Sequence, residues 1–540
     1  MISTSMQPLK YYPMCMAMIA LLAFSSTGHA DEDHTAADPT GPITALTQLS
    51  SLQGKTIQPV LRTPQVNDFK TASGTRVLFV AAPELPIVDI RLTFDAGSAR
   101  DVEIGQGLFG LANLTAQLLD EGTSTQTTDQ IAEQFETLGA QYSASAYRDM
   151  FAVDLRTLSA PKHLEPSVDQ LLLLLKDAQF PVSSMQRVLQ NAAIGQKQRE
   201  ESPSAISGIR FWRELYGQHP YAEPSSGTQA SIKKITQADI QQFKSQFLVA
   251  KNLNIAITGQ LTLKQAKQLA ERITQSLPKG EHARPLPTPA PISQARTVMV
   301  PFDSTQTHII IGQLGINRAD PDLPALTVGN EVLGGGDFNA RLMKELREKR
   351  GMTYGAYSGF SPMRSTGPFT ISYSTRSDQA AESIDVARQT VQDYLAQGAD
   401  PTALAEAQEG ILNGYPLSLA SNQSINAYLA MMGFYDLPAS YLADYPAKIA
   451  AVTPQAVRDA FSRHVHPEQM LTVVVGQPMT QSTTSNTLPA ATSASQPQQS
   501  NVSDPTDNST APSTIDQGSA APPSSSSTDQ GPDDVSQAKP

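Results

Sequence analysis

The feature that most constrains this chain is an internal repeat. Ile235-Thr236-Gln237-Ala238 opens an amphipathic helical stretch that is followed by a strand at Leu253–Thr258 and by Gly259-Gln260. Val452-Thr453-Pro454-Gln455 opens the same sequence of elements, ending in a strand at Met470–Val475 and Gly476-Gln477. Thr236 to Gly259 and Thr453 to Gly476 both span 23 positions. In each copy Thr is placed to cap a helix and Gly to close a strand. A matched unit at the matched end of two long segments points to duplication. The chain of 540 residues is also too long for one ordinary core.

The segments are separated by Arg284–Ser293, where Pro285, Pro287, Pro289 and Pro291 alternate with other residues as in a stiff, extended linker. Domains are therefore expected at 61–283 and 294–477, joined by 284–293. In the first, Arg76–Ala81 and Ile87–Phe94 read as a hairpin, followed by a helix at Leu108–Asp120. One or two strands then fall within Tyr142–Leu155, and a helix at Glu165–Ala178. The second offers strands at Thr297–Val300, His308–Leu314 and Thr370–Ser374, and helices at Leu323–Leu333 and Asp378–Gln397. Hairpins beside helices predict an α+β fold, two homologous domains each with a mainly antiparallel sheet packed with helices. Gly334-Gly335-Gly336 follows a helix rather than a strand, so it reads as a tight loop and supports no nucleotide cofactor.

The two ends of the chain differ in character from this body. Lys10, the apolar run Met14–Phe24 and Gly28-His29-Ala30 read as a secretory signal peptide over 1–30, cleaved near Ala30, with a linker at 31–60. That run is too short for a stable membrane span. The single cysteine, Cys15, leaves with the signal, so the mature chain has neither disulfides nor a thiol ligand. Residues 478–540 are dominated by Ser, Thr, Pro, Gln, Ala and Asp, without an aromatic residue, and are expected to be a disordered tail. Export without disulfides suits a periplasm. The net charge of −12 argues against nucleic acid as a partner.

Within Leu108–Asp120, Asn113 and Gln117 lie one turn apart and project together, away from an apolar stripe of leucines. The surrounding run, Gly110-Leu111-Ala112 through Asp120-Glu121-Gly122-Thr123, closely resembles the metal-binding helix of the pitrilysin/insulinase zinc peptidases. In that family the helix carries His-x-x-Glu-His, two imidazoles for zinc with Glu as general base. Asn113, Ala116 and Gln117 stand at those positions here. Neutral amides are poor zinc ligands and an alanine moves no proton. The family's third ligand, a Glu on a later helix, registers near Ile194-Gly195, with no acidic residue between Asn191 and Gln198. Glu200 and Glu201 lie too close to the Ser202-Pro203 turn to replace it. Among the histidines, His219 matches a structural family loop, and His464 with His466 reads as solvated or capping.

The second segment retains more of the pattern. Leu333–Leu342 leads into Leu346-Arg347-Glu348-Lys349-Arg350-Gly351-Met352-Thr353-Tyr354, which resembles the family's second-domain substrate motif. Arg347 and Tyr354 occupy its two functional positions. A guanidinium can bind a peptide carbonyl or terminal carboxylate, and a phenol can donate to an oxyanion. By itself, Arg347 could answer a helix dipole and Tyr354 could be strand packing. The segment reads as a helix ending at Gly351 and a strand starting at Met352, with Tyr354 at the strand start.

The resemblance spans about Phe69 to Gln477. It implies a non-catalytic subunit with no cofactor of its own, completing the chamber of a zinc-bearing homologous partner and binding unfolded or extended peptides. The strand around Tyr142–Tyr147 could offer its edge to such a chain. The competing expectation is a structural or chaperone-like assembly protein that uses the same fold without proteolysis.

Overall fold

The computed structural model describes residues 63–336 and 338–477. The expected signal peptide, the linker at 31–60 and the tail lie outside the described residues. The first sheet contains β1 (Asn67–Lys70), β2 (Arg76–Ala81), β3 (Ile87–Phe94), β4 (Gln141–Ala146), β5 (Phe151–Leu158) and β6 (Leu253–Gly259), in the order β1-β2-β6-β3-β5-β4. The second contains β7 (Arg296–Pro301), β8 (Gln306–Leu314), β9 (Ala356–Phe360), β10 (Pro368–Arg376) and β11 (Leu471–Gly476), in the order β7-β11-β8-β10-β9. Without β1 the two sheets correspond strand for strand. In each, one pair is parallel (β2 with β6, β7 with β11) and the remaining pairs are antiparallel.

The repeat that opened the sequence sits at the same place in both sheets. Thr236 and Thr453 cap their helices, accepting from the N–H groups of Asp239 and Ala456. A side chain on Gly259 would collide with the backbone of Ile87 in β3, and one on Gly476 with Thr307 in β8. Both glycines mark the same close approach between equivalent strands.

The expected hairpin between 76–81 and 87–94 does not form. β6 is inserted between β2 and β3, parallel to one and antiparallel to the other. The reason lies in burial. Val77, Leu78, Phe79 and Val80 are all buried, so β2 presents apolar side chains to both faces of the sheet, as a central strand must. One face packs on the helices Leu111–Leu118, Pro161–Asp177, Gln237–Phe247 and Leu263–Ser276 of its own half.

The opposite face is covered by the other half of the chain. The helix Asn422–Phe434 lies across β2, β3 and β6, packing Leu429, Met431 and Met432 on Leu78, Val80 and Ala256. Reciprocally, the helix Pro203–Tyr216 lies on β8 and β11, packing Phe211, Leu215 and Tyr216 on Leu471, Val473 and Val475. Each fully buried side chain in these layers contributes about 1.5–3 kcal/mol. The two lobes therefore exchange a helix.

Polar contacts lock the same interface. Asp149, buried in the β4–β5 turn, accepts from the Tyr221 hydroxyl, from Arg364 N–H (2.7 Å) and from the Tyr435 hydroxyl (3.1 Å). The Pro-rich linker is pinned as well. Arg100 donates to Arg284 O (2.6 Å), and His219 Nε2 and Ser365 Oγ both reach Pro287 O, at 2.9 and 3.2 Å. Among the described residues no helix is long and apolar enough to cross a membrane.

Candidate functional site: a degenerate metal helix and an exposed Arg/Tyr ledge

The helix that corresponds to the metal helix is shorter than the sequence suggests, Leu111–Leu118 rather than Leu108–Asp120. Gly107 and Gly110 have φ of +81° and +95°, so the chain turns there and the helix cannot extend backward. Its N-terminus is capped from outside by Asp101. The two carboxylate oxygens accept from the N–H groups of Gly110 (2.8 Å), Leu111 (3.2 Å) and Ala112 (2.9 Å). Burial pushes the Asp101 carboxyl up to about 8, against the pull of those donors.

Leu111, Ala112, Leu114, Thr115, Ala116 and Leu118 face the core, while Asn113 is half-buried and Gln117 exposed. The sequence-expected pair is thus brought together on the outer face. Gln117 Nε2 donates to Asn113 Oδ1 at 2.5 Å, so one amide bonds the other where two imidazoles would have to converge. Glu121, just beyond the helix, is paired with Arg187.

The helix Val182–Glu200 packs against this one, as a third-ligand helix would. Ile194 points out to solvent (60% exposed). Gln196 is buried and donates to Ser226 O and Gly227 O, both at 2.9 Å. Glu200 and Glu201 fall in the last turn and at its cap. Two amides, a methyl and an isoleucine do not make a zinc site, and no catalytic step can be routed through one here.

Asp320, Asp322 and His464 bring ligand-type atoms within 4.8 Å of one another. Arg463 forks onto both Asp322 oxygens (2.9 and 2.8 Å), and His464 Nε2 meets the same carboxylate at 2.9 Å. The Arg463 fork, with His464 beside it, holds Asp322 below the usual carboxylate range. The cluster ties the end of the helix Pro454–His464 to the start of the helix Leu323–Asn330.

In the second lobe, Arg347 lies in the last turn of the short helix Met343–Glu348, as expected. Tyr354 does not lie on a strand. The chain turns back at Gly351 (φ +60°), with Gly351 N–H on Arg347 O and Met352 N–H on Leu346 O, and β9 begins only at Ala356. The intervening loop is closed by Thr353 Oγ1, which accepts from Gly355 N–H (3.1 Å) and donates to Gly355 O (2.8 Å). Tyr354 consequently projects from a fixed turn and is 89% exposed. The flanking cations Lys349 and Arg350 are paired with Glu345. Arg347 has no ion pair among the described residues, and its guanidinium lies 4.6 Å from the centre of the Phe338 ring.

The outer strands of the two sheets, β4 and β9, differ in a way the sequence did not reveal. Asn330 Nδ2 donates to Ser358 O (2.9 Å) on β9, and Ser358 Oγ donates back to Asn330 Oδ1 (2.7 Å). A side chain on Gly334 would press on Ser358 N. The β9 backbone is thus partly occupied from the side. β4 carries no comparable side-chain bond to its backbone among the described residues, and its Ser143 and Ser145 are half-buried or exposed.

Taken together, a duplicated α+β fold with paired amides in place of a metal-binding motif defines a peptidase-like chain without peptidase machinery of its own. Comparison with known proteins agrees. The insulinase (peptidase family M16) model matches residues 76–211, and the peptidase M16 inactive domain model matches 234–411. The crystal structure of a peptidase M16 inactive domain from Pseudomonas fluorescens is 37% identical, superposes with a TM-score of 0.73, and covers 76% of this chain and 98% of its own. A protease structure from Helicobacter pylori shares the fold at a TM-score of 0.69 and 18% identity, covering 76% of this chain and 99% of its own. Among curated sequences, a "non-peptidase homolog YmxG" of Helicobacter pylori is 23% identical over 72% of this chain and 89% of its own length. An uncharacterized zinc protease of Rickettsia bellii is 25% identical over 58% of this chain and 74% of its own length. The chain belongs to the M16 family, the pitrilysin/insulinase peptidases, as a non-catalytic member.

Proposed function

We propose that this chain is the non-catalytic subunit of a periplasmic heteromeric zinc metallopeptidase. It holds extended peptides against a homologous partner that carries the zinc. The observation that carries the reading is the contrast between the two lobes. The helix that corresponds to the metal helix carries amides and a methyl in place of ligands and base, while half-buried Arg347, without an ion pair among the described residues, ends a short helix just ahead of the turn that exposes Tyr354. An arginine retained only for folding would be expected to pair as Lys349 and Arg350 do, and a packing tyrosine would be buried. The Arg347 guanidinium, outside any ion pair among the described residues, offers in-plane N–H donors to a peptide carbonyl or carboxylate, and the exposed Tyr354 hydroxyl can donate to developing negative charge. The β4 edge supplies a backbone ladder to which an extended peptide can add. The sequence of the first thirty residues, with Lys10, the apolar run Met14–Phe24 and Gly28-His29-Ala30, supports the periplasmic part of this reading.

The test is reconstitution with a co-expressed homologue that has an intact His-x-x-Glu-His. Each chain alone should hydrolyse unfolded peptides poorly, and the pair should be active and inhibited by chelator. R347A and Y354F in this chain should each lower turnover of the pair by about 10²-fold, the scale of losing one oxyanion-type donor, without weakening co-purification. Full activity of a complex carrying both substitutions would reject the peptide-holding role and leave an assembly role in its place.

A further inference from the structure

We propose that Phe338 is a positioning residue for Arg347, an aromatic platform that orients the guanidinium while leaving its hydrogen-bond donors free for a peptide. This inference rests on the peptide-holding reading of Arg347 and adds to it a residue outside the Arg/Tyr motif.

Phe338 is 59% exposed, so its ring is not committed to the core of the lobe. It lies in the turn after the glycine run at 334–336, and it meets Arg347 across the intervening helical turns, with Arg347 Cζ 4.6 Å from the ring centre. That separation is within the range of a cation–π contact.

The contact differs in kind from the restraints on the neighbouring cations. Glu345 holds both Lys349 and Arg350 by accepting their N–H groups, which offsets part of their charge and occupies donors. An aromatic face attracts the guanidinium through the ring quadrupole, so the planar group is restrained while its N–H edge stays available. A long side chain ordered before binding loses less rotamer freedom when the peptide arrives. A carboxylate at 338 would also order Arg347, but it would compete with the peptide for the same donors.

The chemistry predicts a ranking. The quadrupole is strongest for Trp, comparable in Tyr and Phe, and absent in Leu, although Leu is similarly apolar. An exposed cation–π contact corresponds to about two- to five-fold in an equilibrium constant.

The experiment measures binding of one fluorescein-labelled unstructured peptide to the mature full-length chain by anisotropy, for F338L, F338Y, F338W and R347A, with each Phe338 variant repeated in the R347A background. F338L should weaken binding about two- to five-fold, F338Y should match the parent, and F338W should match or exceed it. In the R347A background the Phe338 variants should be indistinguishable. The proposal is overturned if Leu binds as well as Phe, if Trp and Leu weaken binding equally, or if F338L retains its effect without Arg347, since Phe338 would then touch the peptide itself. R347A binding like the parent, or no peptide binding by the chain at all, would instead refute the underlying reading.

Discussion

Replacing Asp149 by Ala tests whether the two lobes behave as one body. Its carboxylate is buried at the lobe interface and receives three donors, the Tyr221 hydroxyl from the first half and Arg364 N–H and the Tyr435 hydroxyl from the second. Truncation leaves those donors buried without an acceptor, at about 1–3 kcal/mol each. They share one site and relax together, so the expected total is about 3–4 kcal/mol rather than the full sum. D149N should behave differently. Its amide oxygen can still accept from Arg364 and Tyr435, and its NH₂ can donate to the Tyr221 oxygen. Burial already raises the Asp149 carboxyl above its ordinary range, so a neutral isostere should cost about 1 kcal/mol or less. Equilibrium urea unfolding, followed by tryptophan fluorescence and circular dichroism, measures both variants. Because each lobe supplies a helix to the other, the parent should unfold in one transition by both probes. The reasoning fails if D149A lies within 1 kcal/mol of the parent, if D149N is as damaging as D149A, or if the lobes unfold in separate steps.

Burial holds His219 below its ordinary value, and its neutral ring accepts from Tyr221 N–H and donates to Pro287 O. A base depressed in the folded state contributes stability that is present above its unfolded pKa and lost as pH falls through the folded one. Stability relative to H219Q should therefore decline as pH drops below about 6.5; a flat difference from pH 5 to 8 in urea midpoints would contradict this. Gly259→Ala combines a φ of +144° with a collision against Ile87 O and should cost about 3 kcal/mol or more, whereas Gly195→Ala, in an open helical position, should stabilise by about 0.5–1 kcal/mol. Similar unfolding midpoints for the two would refute the packing account. Metal analysis of the purified chain should find well under one zinc per molecule, and chelator should leave its thermal midpoint unchanged. Stoichiometric zinc lost on N113A or Q117A would overturn the reading of the metal helix.

Much of the candidate site was legible because it is written in local sequence. Asn113, Ala116 and Gln117 sit on one short helix, and their chemistry follows from identity and spacing alone. Arg347 likewise falls in the last helical turn where its run places it. Tyr354 was expected on a strand starting at Met352, but the strand starts at Ala356, because the return at Gly351 and the loop closed by the Thr353 side chain are held by bonds that no periodicity announces. Phe338, Asp101 and Asp149 escaped altogether. Each works through a partner distant in sequence or behind a turn. Only an exposed aromatic beside glycines, or an Asp ahead of a glycine-started helix, hinted at two of them.

By itself the sequence determined that the chain repeats a helix–strand–glycine unit, and that Asn113, Ala116 and Gln117 stand on one helix where the family motif has His, Glu and His. Both conclusions rest on residue type at fixed local spacing, which survives any arrangement of the rest. The tertiary structure decided what covers each sheet. Val77 to Val80 was read as half of a hairpin, yet it is a strand buried on both faces beside β6, more than 170 positions later. Its second face is closed by a helix from the other lobe. An apolar run states that it must leave water, but not which surface will receive it.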